Sequence, residues 1–111
     1  MTRNELVKEI KEAKQDIKDI IFANKADWLW PGNSLIGFDQ SKLKKKTIQF
    51  EDFAGHQLMI GYIYGIYYDR ANDEILAEVS KKWRGDYVDE GYVTDPLNLF
   101  ELRDYLRWLA R

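Results

Sequence analysis

The run from His56 to Asp69, His-Gln-Leu-Met-Ile-Gly-Tyr-Ile-Tyr-Gly-Ile-Tyr-Tyr-Asp, is the most apolar and most β-favouring stretch of the chain. What it pairs with, and what covers it, decides the fold. Read at the two-residue period of a strand, Leu58, Ile60, Tyr62, Tyr64, Ile66 and Tyr68 share one face, and Gln57, Met59, Gly61, Ile63, Gly65 and Tyr67 share the other. Both faces are largely apolar, so the strand is expected to be central in its sheet and covered on each face by side chains or a helix. Gly61 and Gly65 leave shallow places where a helix or another backbone approaches closely. A Gly-x-x-x-Gly pair also marks membrane helix dimers, but that needs roughly 20 consecutive apolar residues, and this run is shorter and rich in tyrosine.

Amphipathic segments stand at both ends of the chain. Leu6, Ile10, Ala13, Ile17 and Ile20 recur at helical spacing and predict a helix from residue 3 to about 25. Thr2 followed by Glu5 has the form of a capping box that fixes its start. Pro31 and Gly32 turn the chain after it. At the far end, Asp95 is placed to cap a second helix with Pro96 in its first turn. Leu99, Leu102, Leu106 and Leu109 form its stripe, which Phe100, Tyr105 and Trp108 broaden.

Between the helices lie further strand patterns. Ser34 to Phe38 and Thr47 to Phe53 read as short strands, with Ile48 and Phe50 on the buried side of the second. Glu74 to Trp83 returns from the central strand through the turn formers of Asp69 to Asp73, with Ile75, Ala77, Val79 and Trp83 on one face. Asp86 to Val93 is a weaker strand that Gly91 bulges or bends. The expected architecture is one α+β domain spanning residues 1–111, a mostly antiparallel sheet of four to five strands flanked by N-terminal and C-terminal amphipathic helices.

At 111 residues, 45% hydrophobic and 32% charged, the chain is long enough to bury a core without disulfides or metal. The 17 basic and 19 acidic residues leave a formal charge of -2, which provides no global field for nucleic acid or an anionic membrane. There is no cysteine, which removes thiolate chemistry and fits a cytoplasmic setting. The charged N-terminus lacks the apolar core of a secretory signal, and no segment is long and apolar enough to span a membrane.

The residues do not assemble a catalytic set. His56 is the one histidine; as a base it needs an orienting carboxylate and a nucleophile, and with no cysteine it cannot complete the usual zinc ligands. Glu51 with Asp52 and Asp89 with Glu90 are adjacent pairs, which a strand points to opposite faces. No phosphate loop, nucleophile elbow or calcium loop is present. The chain is therefore read as non-enzymatic and free of cofactors. A small ribonuclease-like enzyme working with Arg, Lys and Tyr is the third-ranked reading.

What remains is binding. The first reading is a small protein that acts by occupying a partner protein, of inhibitor, immunity or adaptor type, such as phage and mobile elements encode. Tyrosine and tryptophan supply interface anchors, so its expected contacts are Trp28, Trp30, Tyr87 and Tyr92, with Asp86, Asp89 and Glu90 steering a basic partner. A homodimer is the plain competitor. The alternative is nucleic-acid binding through Lys42, Lys44, Lys45 and Lys46, set at the rim of a face bearing Tyr62, Tyr64 and Tyr68.

Overall fold

The computed structural model describes residues 2–26, 34–51, 58–83, 86–92 and 96–110, and gives the backbone alone for 50–51, 58–60, 81–83, 86–92 and 96–97. Trp28, Trp30, Pro31, Gly32, Asp52, His56 and Asp95 lie outside the described residues. Helix α1 (Arg3–Ala23) is followed by β1 (Leu35–Gly37), a 3-10 turn (Gln40–Lys42), β2 (Ile48–Glu51), β3 (Leu58–Asp69), β4 (Glu74–Trp83), β5 (Asp86–Tyr92) and α2 (Pro96–Leu109). This is the α+β class that the sequence implies, with an antiparallel sheet between terminal helices.

Strand β3 organises the sheet. β4 pairs along one side of it and β5 pairs with β4, while β1 and β2 share its other side, β1 at residues 67–69 and β2 at residues 58–61. A line drawn across the sheet therefore meets four strands, although five contribute. Every pairing is antiparallel.

The helices lie on the same side. Ile17 and Ile21 of α1 and Leu99, Leu102, Tyr105 and Leu106 of α2 join Ile36, Ile48, Ile63, Ile66, Tyr68, Ile75, Ala77 and Val79 in a single core cluster. Arg107 donates from Nη2 to the Asp16 carboxylate at 2.9 Å, bridging the two helices. Both amphipathic stripes seek the same apolar surface, and among the described residues one sheet face receives both helices.

A bulge explains how β3 presents that surface. Ile63 is opposite Val79 and Gly65 opposite Glu78, so Tyr64 is the extra residue of a bulge between them. Beyond it the alternation changes parity. Ile63, Ile66 and Tyr68 all enter the core, whereas strict alternation separates Ile63 from the other two. Tyr64 is half-buried outside the core, and Tyr68 is parted from Tyr62 and Tyr64, with which strict alternation groups it. A second bulge sits at the same level in β5, where Glu90 and Gly91 fall between the partners of Glu78 and Ser80.

α1 begins as its sequence dictates: Glu5 N donates to Thr2 Oγ1 at 3.2 Å and Thr2 N to Glu5 Oε2 at 3.4 Å, the two bonds of a capping box. Ala13, Ile17 and Ile21 are fully buried, and Ile10 and Ile20 pack at the margin. Leu6 is 41% exposed, because the first turns of the helix run past the core. The β3–β4 turn closes on side-chain bonds. Asp69 accepts from Ser34 Oγ at 2.5 Å, Ala71 N at 3.0 Å and Asn72 Nδ2 at 2.8 Å. Asp73, in the left-handed region at φ 52°, accepts from Tyr68 OH at 2.6 Å and Lys14 Nζ at 3.1 Å. The turn is thereby tied to α1.

Candidate functional site

Among the described residues both helices pack on one face of the sheet, and the other face is bordered by strand side chains alone. Leu35 and Gly37 of β1, Tyr62, Tyr64 and Tyr67 of β3, and Leu76 and Glu78 of β4 are all half-buried there. The bulge creates this group, since it keeps Tyr64 beside Tyr62 and moves Tyr67 onto the same face.

Small residues shape the surface around Tyr67. A Cβ at Gly65 would lie 3.0 Å from Tyr67 Cε2 and OH and 3.1 Å from Glu78 Oε1, and one at Gly37 would lie 3.4 Å from Tyr67 Cδ1 and Cε1. The ring therefore lies low across the sheet between two glycines. Gln40 Nε2 donates to its hydroxyl at 3.5 Å. The sequence reading marked Gly65 as a place of close approach; the approaching group is a neighbouring tyrosine rather than a helix.

The register carries this surface to β5. Glu78 is opposite Tyr92, Ser80 opposite Asp89, Lys82 opposite Tyr87, and Trp83 opposite Asp86. Tyr62 is opposite Ser80, so Tyr62, Ser80 and Asp89 form one row across three strands. Thus Tyr87, Asp89 and Tyr92, expected as contacts, take register positions beside the helix-free side of β4, and Glu90 falls in the β5 bulge. Trp28 and Trp30 remain outside the described residues.

The lysine segment is dispersed by its own contacts. Lys42 Nζ donates to Asn24 Oδ1 at 3.0 Å, at the end of α1. The Lys44 backbone is held by Tyr105, whose hydroxyl donates to Lys44 O at 2.7 Å and accepts from Lys44 N at 3.2 Å. Burial of Tyr105 pushes its phenol up from 10.0, with the Lys44 backbone bond acting against that shift. Lys45 Nζ lies 4.7 Å from the Tyr62 ring centre and Lys46 Nζ 4.6 Å from that of Trp108. Lys45 is thus directed to the helix-free face and Lys46 to α2, so neighbouring lysines serve opposite sides of the sheet.

Titration separates the turn carboxylates from the rest. The Ser34 and Asn72 hydrogen bonds hold Asp69 below its ordinary 3.8 and outweigh desolvation. Asp73 is lowered by the Tyr68 hydroxyl and then by Lys14, and Asp39 by the Ser41 side chain and backbone. These groups fasten turns. Among the described residues, no three of His, Cys, Asp and Glu converge as a metal site, and no helix is long and apolar enough to cross a membrane.

The fold and surface define a small α+β domain with one face of its antiparallel sheet buried under two helices and the other bearing tyrosines. No protein-family model, curated protein or solved structure matches the chain.

Proposed function

We propose that the protein acts without catalysis, by occupying another protein as an inhibitor, immunity protein or adaptor does, and that it uses the helix-free face of its sheet. The observation that carries this reading is the continuity of half-buried Tyr62, Tyr64, Tyr67, Leu35 and Leu76 with the register positions of Tyr87, Asp89 and Tyr92. Tyrosine combines a large apolar contact area with a polar tip and few rotatable bonds, which suits it to a protein interface. Of the β5 acids, Asp89 takes a register position on that face, Glu90 falls in the bulge and Asp86, opposite Trp83, belongs to the other side; together they select a basic partner and make its capture faster at low salt.

This reading ranks above nucleic-acid binding because the lysine segment is already engaged. Lys42 is held by Asn24, Lys45 lies over Tyr62 and Lys46 over Trp108. The test is capture from nuclease-treated lysate of the source cell, with light scattering on the purified chain. Leu76→Arg and a triple Asp86→Ser, Asp89→Ser, Glu90→Ser variant should each lose the partner. A quadruple Lys42→Ser, Lys44→Ser, Lys45→Ser, Lys46→Ser variant should retain it. Capture that survives the first two changes but not the third overturns the proposal.

A further inference from the structure

We infer that β5 is the point of engagement, and that it captures an extended basic segment of the partner by strand addition, so that the segment becomes a further strand at the β5 edge. The inference rests on the protein-binding reading above and specifies its chemistry. β5 ends the strand order, and among the described strands it pairs with β4 alone. A strand in that position offers a row of backbone N–H and C=O groups along its outer side, a template for another extended chain.

The composition of the edge says which chain fits. Natural edge strands are commonly blunted by charged side chains, especially lysine, by proline, by bulges or by a covering element. Asp86-Tyr-Val-Asp-Glu-Gly-Tyr92 contains no lysine, arginine or proline and carries three carboxylates. Its charge is therefore of one sign. A second copy is a poor occupant: pairing β5 with β5 brings a second set of the same three carboxylates to one seam, and like charges there destabilise a sheet. A segment bearing lysine or arginine at alternate positions reverses that sign. Its residue opposite Asp89 continues the row that runs from Tyr62 through Ser80 to Asp89 on the tyrosine-bearing face, and its intervening residues take the other face of the sheet.

The bulge at Glu90–Gly91 limits where the segment sits. An extra residue there breaks the regular spacing of edge groups. Continuous pairing is thereby confined to the part of β5 from Asp86 to Asp89.

The probe is a fluorescein-labelled peptide alternating Lys and Val, read by anisotropy against the intact protein. Three relatives complete the set: one alternating Glu and Val, and two Lys-Val peptides N-methylated on every second residue, one in each frame. Strand addition uses the N–H groups of alternate residues only, so one methylated frame should lose binding and the other keep it. The Glu-Val peptide should bind at least about ten-fold more weakly, a difference of about 1.4 kcal/mol. The Asp86→Ser, Asp89→Ser, Glu90→Ser variant should weaken the Lys-Val peptide to a similar degree. Hydrogen exchange should show new protection at β5 amides.

Equal binding of the two methylated frames, or protection confined to other strands, overturns strand addition, as does failure of the unmethylated Lys-Val peptide to bind. Lysate capture that still depends on Leu76 under those outcomes leaves the protein-binding reading standing and removes only the strand-addition mode. Loss of dependence on Leu76 and on the acids removes the broader reading instead.

Discussion

The two faces of β3 are built from the same few residue types and end in different environments. Ile63, Ile66 and Tyr68 disappear beneath α1 and α2, whereas Tyr62, Tyr64 and Tyr67 stay half-buried on the other side. Hydrophobicity alone does not separate them, since tyrosine occurs on both faces. The difference comes from backbone register. One extra residue at Tyr64 lets Ile63 and Ile66 enter the core together and leaves Tyr62, Tyr64 and Tyr67 on the other face. Tyr68 is the exception, and its hydroxyl has a partner in Asp73. Burial of a polar tip is tolerated where a hydrogen bond receives it.

The largest effect that tests this contrast is on the covered face. Ile66 is 0% exposed, and Ile66→Ala should destabilise the domain by about 2 to 5 kcal/mol through lost burial and a residual cavity. A urea titration measures it, and a cost below about 0.5 kcal/mol means that this face is not the core.

A smaller effect is expected where the lysine segment meets α2. The Tyr105 hydroxyl serves both Lys44 O and Lys44 N. Tyr105→Phe keeps the ring and strands two backbone groups, so it should cost about 1 to 3 kcal/mol. An unchanged urea midpoint shows that the loop finds other partners.

The helix-free face should be the more tolerant of the two. Leu76→Ala should cost less than about 1 kcal/mol, in the range of substitutions outside the core. If it costs as much as Ile66→Ala, the face is covered and the contrast collapses. Between these limits lies Gly65→Ala, whose new methyl meets the Tyr67 ring and the Glu78 carboxylate at 3.0 to 3.1 Å. Both are side-chain ends able to rotate away, which places the expected cost near 1 kcal/mol.

Much of the architecture was legible in the residues. The Thr2–Glu5 capping box, the α2 stripe and the Asp69 to Asp73 turn each rest on local chemistry, and the structure places each where that chemistry predicts. The facing of Tyr64, Tyr67 and Tyr68 was not legible. Period-two alternation holds only while the ladder is regular, and of the two glycines that could mark a bulge in β3 only Gly65 adjoins one, while Gly61 pairs regularly. Gly91 did announce a bulge, because glycine in a weak strand is itself the signal. The scattering of Lys42 to Lys46 was equally hidden. A charge run looks uniform in sequence, and only the positions of Asn24, Tyr62 and Trp108 divide it. Tyr67, Leu35 and Leu76 were not singled out from sequence, because their place on the helix-free face depends on which face the helices take.

The most modest effect concerns the turn where the two faces meet. Asp69 ties β3 to Ser34, and Asp73 ties the turn to α1 through Tyr68 and Lys14. Both carboxyls titrate below the ordinary 3.8, chiefly through hydrogen bonds. A lowered folded pKa means that the unfolded chain takes up protons first as pH falls. The stabilisation is therefore complete above the ordinary value and lost as pH drops through the folded one. Thermal midpoints should be level down to about pH 5 and then decline toward pH 2. Asp69→Asn and Asp73→Asn each remove one titrating group, so each should lower the midpoint at neutral pH and flatten the acid decline. Added salt should weaken the Asp73 contribution more, because Lys14 belongs to its partners and Asp69 relies on neutral donors. An acid decline of unchanged slope in both variants would assign it to other carboxylates and leave the turn without a part in holding the two faces together.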